Sequence, residues 1–183
     1  MSSTNANQIV EAADLLNRAL RKIIVSEQGS HAETLIAAAA RMAGTMLFHS
    51  LSPGLDHLPP GTVCLTDQAN EQGPKLMQLM FATLGQLGHK DIDRQTLVGN
   101  SGRSARSRLS LAETQEMLEP WYRKIQGLCG LSLREVADAG AIATAMLIHD
   151  CRSVLPVPTG CAIAVDGMVE SAKTVPQRVA EAS

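Results

Sequence analysis

Aromatic side chains are almost absent from this 183-residue chain, which contains one tryptophan, one tyrosine and two phenylalanines. Alanine and other small residues take their place, most plainly in the runs at 37–40 and 137–145. Because small side chains leave a shallow helix surface, helices must approach closely to fill a core at the usual packing density. Alanine is also the strongest helix former. The sequence therefore predicts a mainly α fold with closely packed helices.

Length and charge narrow the class of protein further. A chain of 183 residues with 45% hydrophobic and 19% charged residues is typical of one globular domain. Its net charge of −2 gives no support for nucleic acid or an anionic membrane as a partner. No apolar run reaches the roughly 18 residues of a membrane span, and the first residues lack the features of a signal peptide. We therefore expect a cytoplasmic protein that binds no membrane.

Hydrophobic periodicity and capping residues predict about five main helices packed as a single-domain bundle. Three capping boxes, in which a serine is followed three residues later by glutamate, mark helix starts at Ser30, Ser110 and Ser132. Pro74 is expected in the first turn of another helix. The predicted helices cover about 7–28, 30–50, 74–87, 110–130 and 132–152. The second is apolar on nearly every side, which predicts burial on most faces.

The rest of the chain is predicted to be irregular, apart from one hairpin. Residues 1–6 are expected to fray, 51–71 to form a long loop, 99–108 a mobile basic loop and 176–183 a flexible tail, so that the helical domain covers 1–175. Asp166-Gly167 lies between two apolar stretches and is typical of a type I′ turn. We therefore expect a short C-terminal β-hairpin, the alternative being a short helix from Met168.

Four residues near the end of the fifth helix, His149, Asp150, Cys151 and Cys161, are of the types that zinc prefers. His149 and Cys151 are two positions apart, however, and such residues point to different faces of a helix. A thiol at the C-terminal end of a helix is also not activated as a nucleophile. We therefore predict no metal and no cofactor, and the sequence contains no recognisable catalytic motif.

Two further groups could bind a ligand. Arg103, Arg106 and Arg108 offer phosphate-binding side chains, but three arginines make a small footprint, and nucleic-acid binding is not expected. Met77 and Met80 lie on one face of the third helix, where they could line an apolar groove or form part of the core.

The function that this sequence favours is a non-catalytic interaction or assembly protein that forms a homodimer. The first helix carries a stripe with the spacing of a helix–helix seam, and the hairpin needs a surface to pack against. The stripe consists of Ile9, Ala13, Leu16, Leu20 and Ile23. The alternative is a small-molecule-binding protein or enzyme, with a site formed by His49, His149 and the loop at 51–71.

Overall fold

In the part of the chain that the structure describes, six helices form the bundle, rather than the five predicted. The computed structural model describes residues 3–24, 31–51, 57–92 and 106–177. Its helices are α1 (Ser3–Ile23), α2 (Ala32–Leu51), α3 (Asp67–Gln86), α4 (Leu111–Cys129), α5 (Leu133–Asp150) and α6 (Val157–Ala172). Within these ranges there is no strand, and β pairing is limited to an isolated antiparallel bridge between Val63 and Thr174. The predicted mainly α class is confirmed.

The second helix, α2, lies at the centre of the bundle. Every residue from Thr34 to Phe48 is buried, and α3, α4, α5 and α6 all pack against it. A helix without an exposed face must be built from small or apolar residues, because each polar group on it would have to find a partner away from water. The predicted burial of this helix on most faces is confirmed.

The helices α2 and α6 approach each other closely at Gly44. A Cβ atom on Gly44 would overlap the hydroxyl of Ser171 and lie 2.6 Å from the carbonyl oxygen of Met168. A Cβ on Gly167 would lie 3.2 Å from the Cβ of Ala40. Glycine is therefore required at position 44 by the approach of a neighbouring backbone, and the predicted close approach of helices through small residues is confirmed here.

Consecutive helices alternate in direction. A Cβ on Gly140 in α5 would lie 3.0 Å from the Cβ of Ala43 in α2, whereas Gly160 at the start of α6 lies beside both Ile148 and Ile36. These contacts make α2 antiparallel to α5 and parallel to α6. Further side-chain contacts give the other directions. Asn5–Glu135 and Arg21–Asp150 make α1 parallel to α5, and Gln72–Arg134 and His89–His149 make α3 parallel to α5. Thr45–Gln115 and His49–Glu119 make α4 parallel to α2.

The predicted C-terminal hairpin is wrong. Its alternative, a short helix from Met168, has the correct helical state, but the helix begins earlier: Asp166 and Gly167 also lie inside α6, which starts at Val157. A hairpin turn of type I′ would need positive φ at both central residues. A small residue is favoured at position 167 for another reason: α6 packs there against Ala40 and the carbonyl oxygen of Ala37, which leave little room for a side chain.

The start of α3 also differs from the prediction. The helix begins at Asp67, with the hydroxyl of Thr66 accepting a hydrogen bond from the backbone N–H of Ala69. Pro74 therefore lies inside α3 and not in its first turn. The connection expected over 51–71 is correspondingly shorter, and its residues 52–56 lie outside the part that the structure describes.

Two of the three predicted capping boxes are confirmed. Ser110 with Glu113 opens α4, and Ser132 with Glu135 opens α5, with both reciprocal hydrogen bonds present in each. Ser30 lies outside the described residues. At the start of α2, the Nδ1 atom of the His31 imidazole accepts the backbone N–H of Thr34 at 3.3 Å.

The first helix begins at Ser3, earlier than the predicted 7, and lies along α5 and α4. Four residues of its apolar stripe are fully or almost fully buried in the chain's own bundle, and the fifth, Ile23, is half-buried. The buried four are Ile9, Ala13, Leu16 and Leu20. This stripe is therefore a core contact and does not present an open seam to another subunit.

Candidate functional site

The histidines predicted to share a site lie at opposite ends of the bundle. His49 is in the last turn of α2, and His149 is in the last turn of α5, which runs the other way. Ile148 lies level with Ile36, so His49 and His149 are about 20 Å apart along the helix axis at 1.5 Å per residue. The structure does not bring these two side chains together.

His49 instead contacts a buried carboxylate on α4. Its Nε2 atom lies 3.0 Å from the Oε1 atom of Glu119, whose side chain is 7% exposed. Arg123, one turn further along α4, donates to the same oxygen at 3.1 Å. Burial pushes the pKa of Glu119 up, but His49 and Arg123 more than compensate and hold that pKa below its ordinary value. The carboxylate is therefore ionised and locked between two cation-forming groups.

This contact belongs to a row of polar residues between α2 and α4, which we call the polar seam: the buried Thr45, Gln115 and Glu119 and the half-buried His49. The Nε2 atom of Gln115 donates to the hydroxyl of Thr45 at 3.1 Å, and its Oε1 atom accepts the backbone N–H of Gln177. Gln177 thus joins the predicted tail to the bundle. Sequence analysis missed the seam, although its two pairs, 45 with 49 and 115 with 119, each have the spacing of one helix face.

Three buried polar atoms in or beside the seam have no hydrogen-bond partner among the described residues. They are the Nε2 atom of His49, whose 3.0 Å contact with Glu119 does not have the geometry of a hydrogen bond, the Oε2 atom of Glu119, and the phenol oxygen of Tyr122, one turn further along α4. Burial alone raises the pKa of Tyr122, so the phenol stays neutral. The contacts of the seam join α2 to α4.

His149 pairs with a different histidine. The Nε2 atom of His89, just beyond the end of α3, lies 2.9 Å from the Nδ1 atom of His149. One ring must donate and the other accept, so the pair holds one hydrogen between the two atoms. Burial, followed by the nearby His149 and Arg152, lowers the pKa of His89. The pair joins the C-terminal ends of α3 and α5.

The other three residues of the types that zinc prefers have different surroundings, and the carboxylate of Asp150 pairs with Arg21. Cys151 is the C-cap of α5, while Cys161 is buried in α6. Burial raises the pKa of both thiols, that of Cys161 to about 12. Throughout the described ranges, no three His, Cys, Asp or Glu side chains are placed to hold one metal ion. The absence of a bound metal stays a prediction.

The two methionines singled out on α3 have different surroundings. Met80 is fully buried in the core. Met77 is half-buried and lines a cleft of about 110 Å³ between α3 and α6, together with Gly73, Met168 and Lys173. The cleft is mainly apolar, and Lys173 is its one charged side chain.

The basic segment is tied to α2 where the structure describes it. Arg103 lies outside the described residues. The Nη1 atom of Arg106 lies 3.8 Å from the Oε1 atom of Glu33, and the backbone N–H of Arg108 donates to the hydroxyl of Thr34 at 2.9 Å. These contacts hold the segment before α4 against the start of α2. They do not involve a second arginine side chain.

A stripe of α4 carries large apolar side chains exposed to water. Met117, Trp121 and Leu128 are 39%, 43% and 71% exposed. With Lys124 they have the spacing of four, three and four residues that places side chains on one side of a helix. The ammonium of Lys124 lies 5.4 Å from the centroid of the Trp121 ring. We call these four residues the α4 face.

Comparison with known proteins adds nothing to this geometry. No protein family, no curated protein and no solved structure matches this chain. In the described parts of the chain, no helix is both long and apolar enough to cross a membrane. Interpretation of the function therefore depends on the surfaces and side-chain clusters of the chain itself.

Proposed function

We propose that the protein is a non-catalytic interaction protein that self-associates through the α4 face, forming a dimer. The observation that carries this proposal is the apolar stripe of Met117, Trp121 and Leu128. Aromatic residues and methionine are enriched in protein interfaces, and tryptophan is prominent among the residues that dominate binding energy. Exposed apolar side chains that line up on one surface mark an interaction site more often than scattered ones do.

The side chains that could act in catalysis are engaged in contacts or buried, which favours a binding function over a catalytic one. His49 and Glu119 are engaged in the polar seam, and His89 and His149 are engaged with each other. The thiol of Cys161 is buried with a raised pKa, which disfavours the nucleophilic thiolate. Each of these groups stabilises a contact between helices.

The surface proposed here differs from the one that the sequence suggested. The α1 stripe and the C-terminal segment were the two reasons to expect a dimer, and both are occupied within the bundle. The α4 face supplies the open apolar surface in their place. Deleting α1 would remove core residues, so association has to be tested by point substitutions in the whole chain.

Trp121 provides a direct assay because it is the chain's one tryptophan. On dilution of the full chain from about 100 μM to about 0.1 μM, dissociation exposes the indole to water. We expect the emission maximum to move to longer wavelength and acrylamide quenching to increase. An emission spectrum that does not change over this range, with a mass of one chain at the upper concentration, would contradict the proposal.

Substitution of the face gives a matched comparison. Trp121→Ser should reduce the apparent mass to that of one chain while the helix content stays the same. Val154→Ser is the control, because Val154 is 76% exposed and lies in the turn after α5 rather than on α4. The control should associate as the unmodified chain does. Equal association of all three proteins would exclude the α4 face as the interface.

Small-molecule binding is a second candidate, favoured by the cleft between α3 and α6. Apolar cavities of this order bind compact apolar molecules such as benzene. Benzene should therefore raise the thermal midpoint of the unmodified chain, and Gly73→Leu, which fills the cleft, should abolish that increase. An equal benzene effect in both proteins would exclude the cleft.

A further inference from the structure

The exposed charges of α4 are divided by sign along the helix. Glu113 and Glu116 lie in its N-terminal half, and Arg123 and Lys124 lie in its C-terminal half. The midpoint of α4 (Leu111–Cys129) is Pro120. If two α4 helices run in opposite directions side by side, the acidic half of each lies beside the basic half of the other. A purely apolar patch has no such preference for direction.

We infer that the partner on the α4 face is a second copy of this chain, with the two α4 helices antiparallel about a two-fold axis near Pro120. This inference rests on the proposed self-association and specifies its geometry. Glu116 and Lys124 lie four residues on either side of Pro120. In the antiparallel pair, Glu116 of each copy therefore lies level with Lys124 of the other, and the interface is isologous.

A parallel arrangement of the two helices is disfavoured by the same charges. It would place Glu116 level with Glu116 and Lys124 level with Lys124, and like charges at close range are repulsive. An interface with the antiparallel arrangement brings both opposite-charge pairs together at once, because the two-fold axis repeats every contact.

The apolar residues of the α4 face suit this axis. Trp121 is next to Pro120, so the axis brings the two indole rings to the middle of the interface, with Met117 one turn away. The ammonium of Lys124 lies 5.4 Å from the centroid of the Trp121 ring, so the positive charge is beside the aromatic anchor, where it can meet a carboxylate of the other copy. Aromatic anchors surrounded by a charged rim are the usual arrangement of a specific interface.

Charge reversal tests the antiparallel pairing. Glu113 caps α4 and Arg123 binds Glu119, so the variants use the other two residues, both of them exposed. Glu116→Lys and Lys124→Glu should each weaken the dimer about tenfold or more at low salt, because each creates two repulsive contacts. The double variant should return the dimer dissociation constant to within about threefold of the original. Glu71→Lys, the same charge change on α3, is the control and should leave it unaltered.

The possible results separate this inference from the proposed function. Sedimentation velocity measures the dissociation constant, and circular dichroism confirms that each variant is folded. A dimer that the single reversals leave unaltered, or that the double reversal fails to restore, would overturn the antiparallel geometry while leaving self-association in place. Assemblies that grow beyond two chains would also overturn the two-fold interface. A monomeric parent chain would contradict both proposals.

Discussion

Replacement of Gly44 by alanine should destabilise the protein, although alanine is the better helix former. A Cβ at position 44 would lie 2.6 Å from the carbonyl oxygen of Met168 and 3.0 Å from the backbone nitrogen of Ala172, and it would overlap the hydroxyl of Ser171. Contacts with the backbone of α6 cannot be relieved by a change of rotamer. α6 would have to move away from α2 along part of its length.

Two opposing contributions set the magnitude. Alanine is favoured over glycine inside a helix by about 1 kcal/mol, whereas overpacking a core typically costs about 1–3 kcal/mol. Rotation of the Ser171 hydroxyl would also break its 2.7 Å bond to the carbonyl oxygen of Gly167, at a further cost of about 1 kcal/mol. The net loss in the free energy of unfolding is therefore about 2 kcal/mol. For a chain of this length, that lowers the thermal midpoint by about 4–8 °C.

Urea unfolding followed by circular dichroism measures the effect, since a change of midpoint at constant slope reports stability. Gly127→Ala is the matched control, because Gly127 lies inside α4 with no atom within 4 Å of an added Cβ. The same substitution should there stabilise the protein by up to about 1 kcal/mol. Stabilisation of the Gly44 variant by a similar amount would refute the close approach of α2 and α6.

Three other substitutions test the bundle by the same unfolding assay. Ala141→Leu should cost roughly 1–3 kcal/mol because Ala141 is fully buried, and an unaltered midpoint would contradict that burial. Ser132→Ala removes one half of a capping box and should cost about 0.5–2 kcal/mol, with no change expected if α5 were capped otherwise. The pKa of His89 is lowered below its ordinary 6.5, chiefly by burial and further by the nearby His149 and Arg152. Below pH 6.5 the unfolded chain therefore binds more protons at His89 than the folded chain does. Stability should therefore decrease as the pH falls from about 7.5 to about 5.5. His89→Asn should reduce that decrease, and an equal decrease in both proteins would remove the histidine pair as its cause.

Local signals in the sequence were sufficient for the parts of the fold that depend on neighbouring residues. The capping boxes at Ser110 and Ser132 involve residues three positions apart, and the central position of α2 follows from its lack of a polar face. Both features can be recognised without knowledge of the rest of the chain.

The errors arose where a distant contact determines the residue. Gly167 forms part of an Asp-Gly pair that is typical of a turn, but contact with Ala37 and Ala40, far away in the sequence, is what requires a small residue there. Pro74 was interpreted as a helix start because the better start, the cap at Thr66, lies in a stretch rich in turn residues.

The apolar residues of the α4 face can be seen in the sequence, but their exposure cannot. Met117 and Trp121 lie on the same helix as the buried Leu118 and Ile125, and one sequence does not tell which apolar side of a helix is covered. The polar seam depends on the pairing of α2 with α4, which periodicity within each helix cannot provide.

The molar mass of the intact chain in solution tests the central claim most directly. Static light scattering at tens of micromolar should give about twice the 19.4 kDa of one chain, and Trp121→Ser should give one chain under the same conditions. A mass of 19.4 kDa for the unmodified protein at that concentration would contradict self-association through the α4 face.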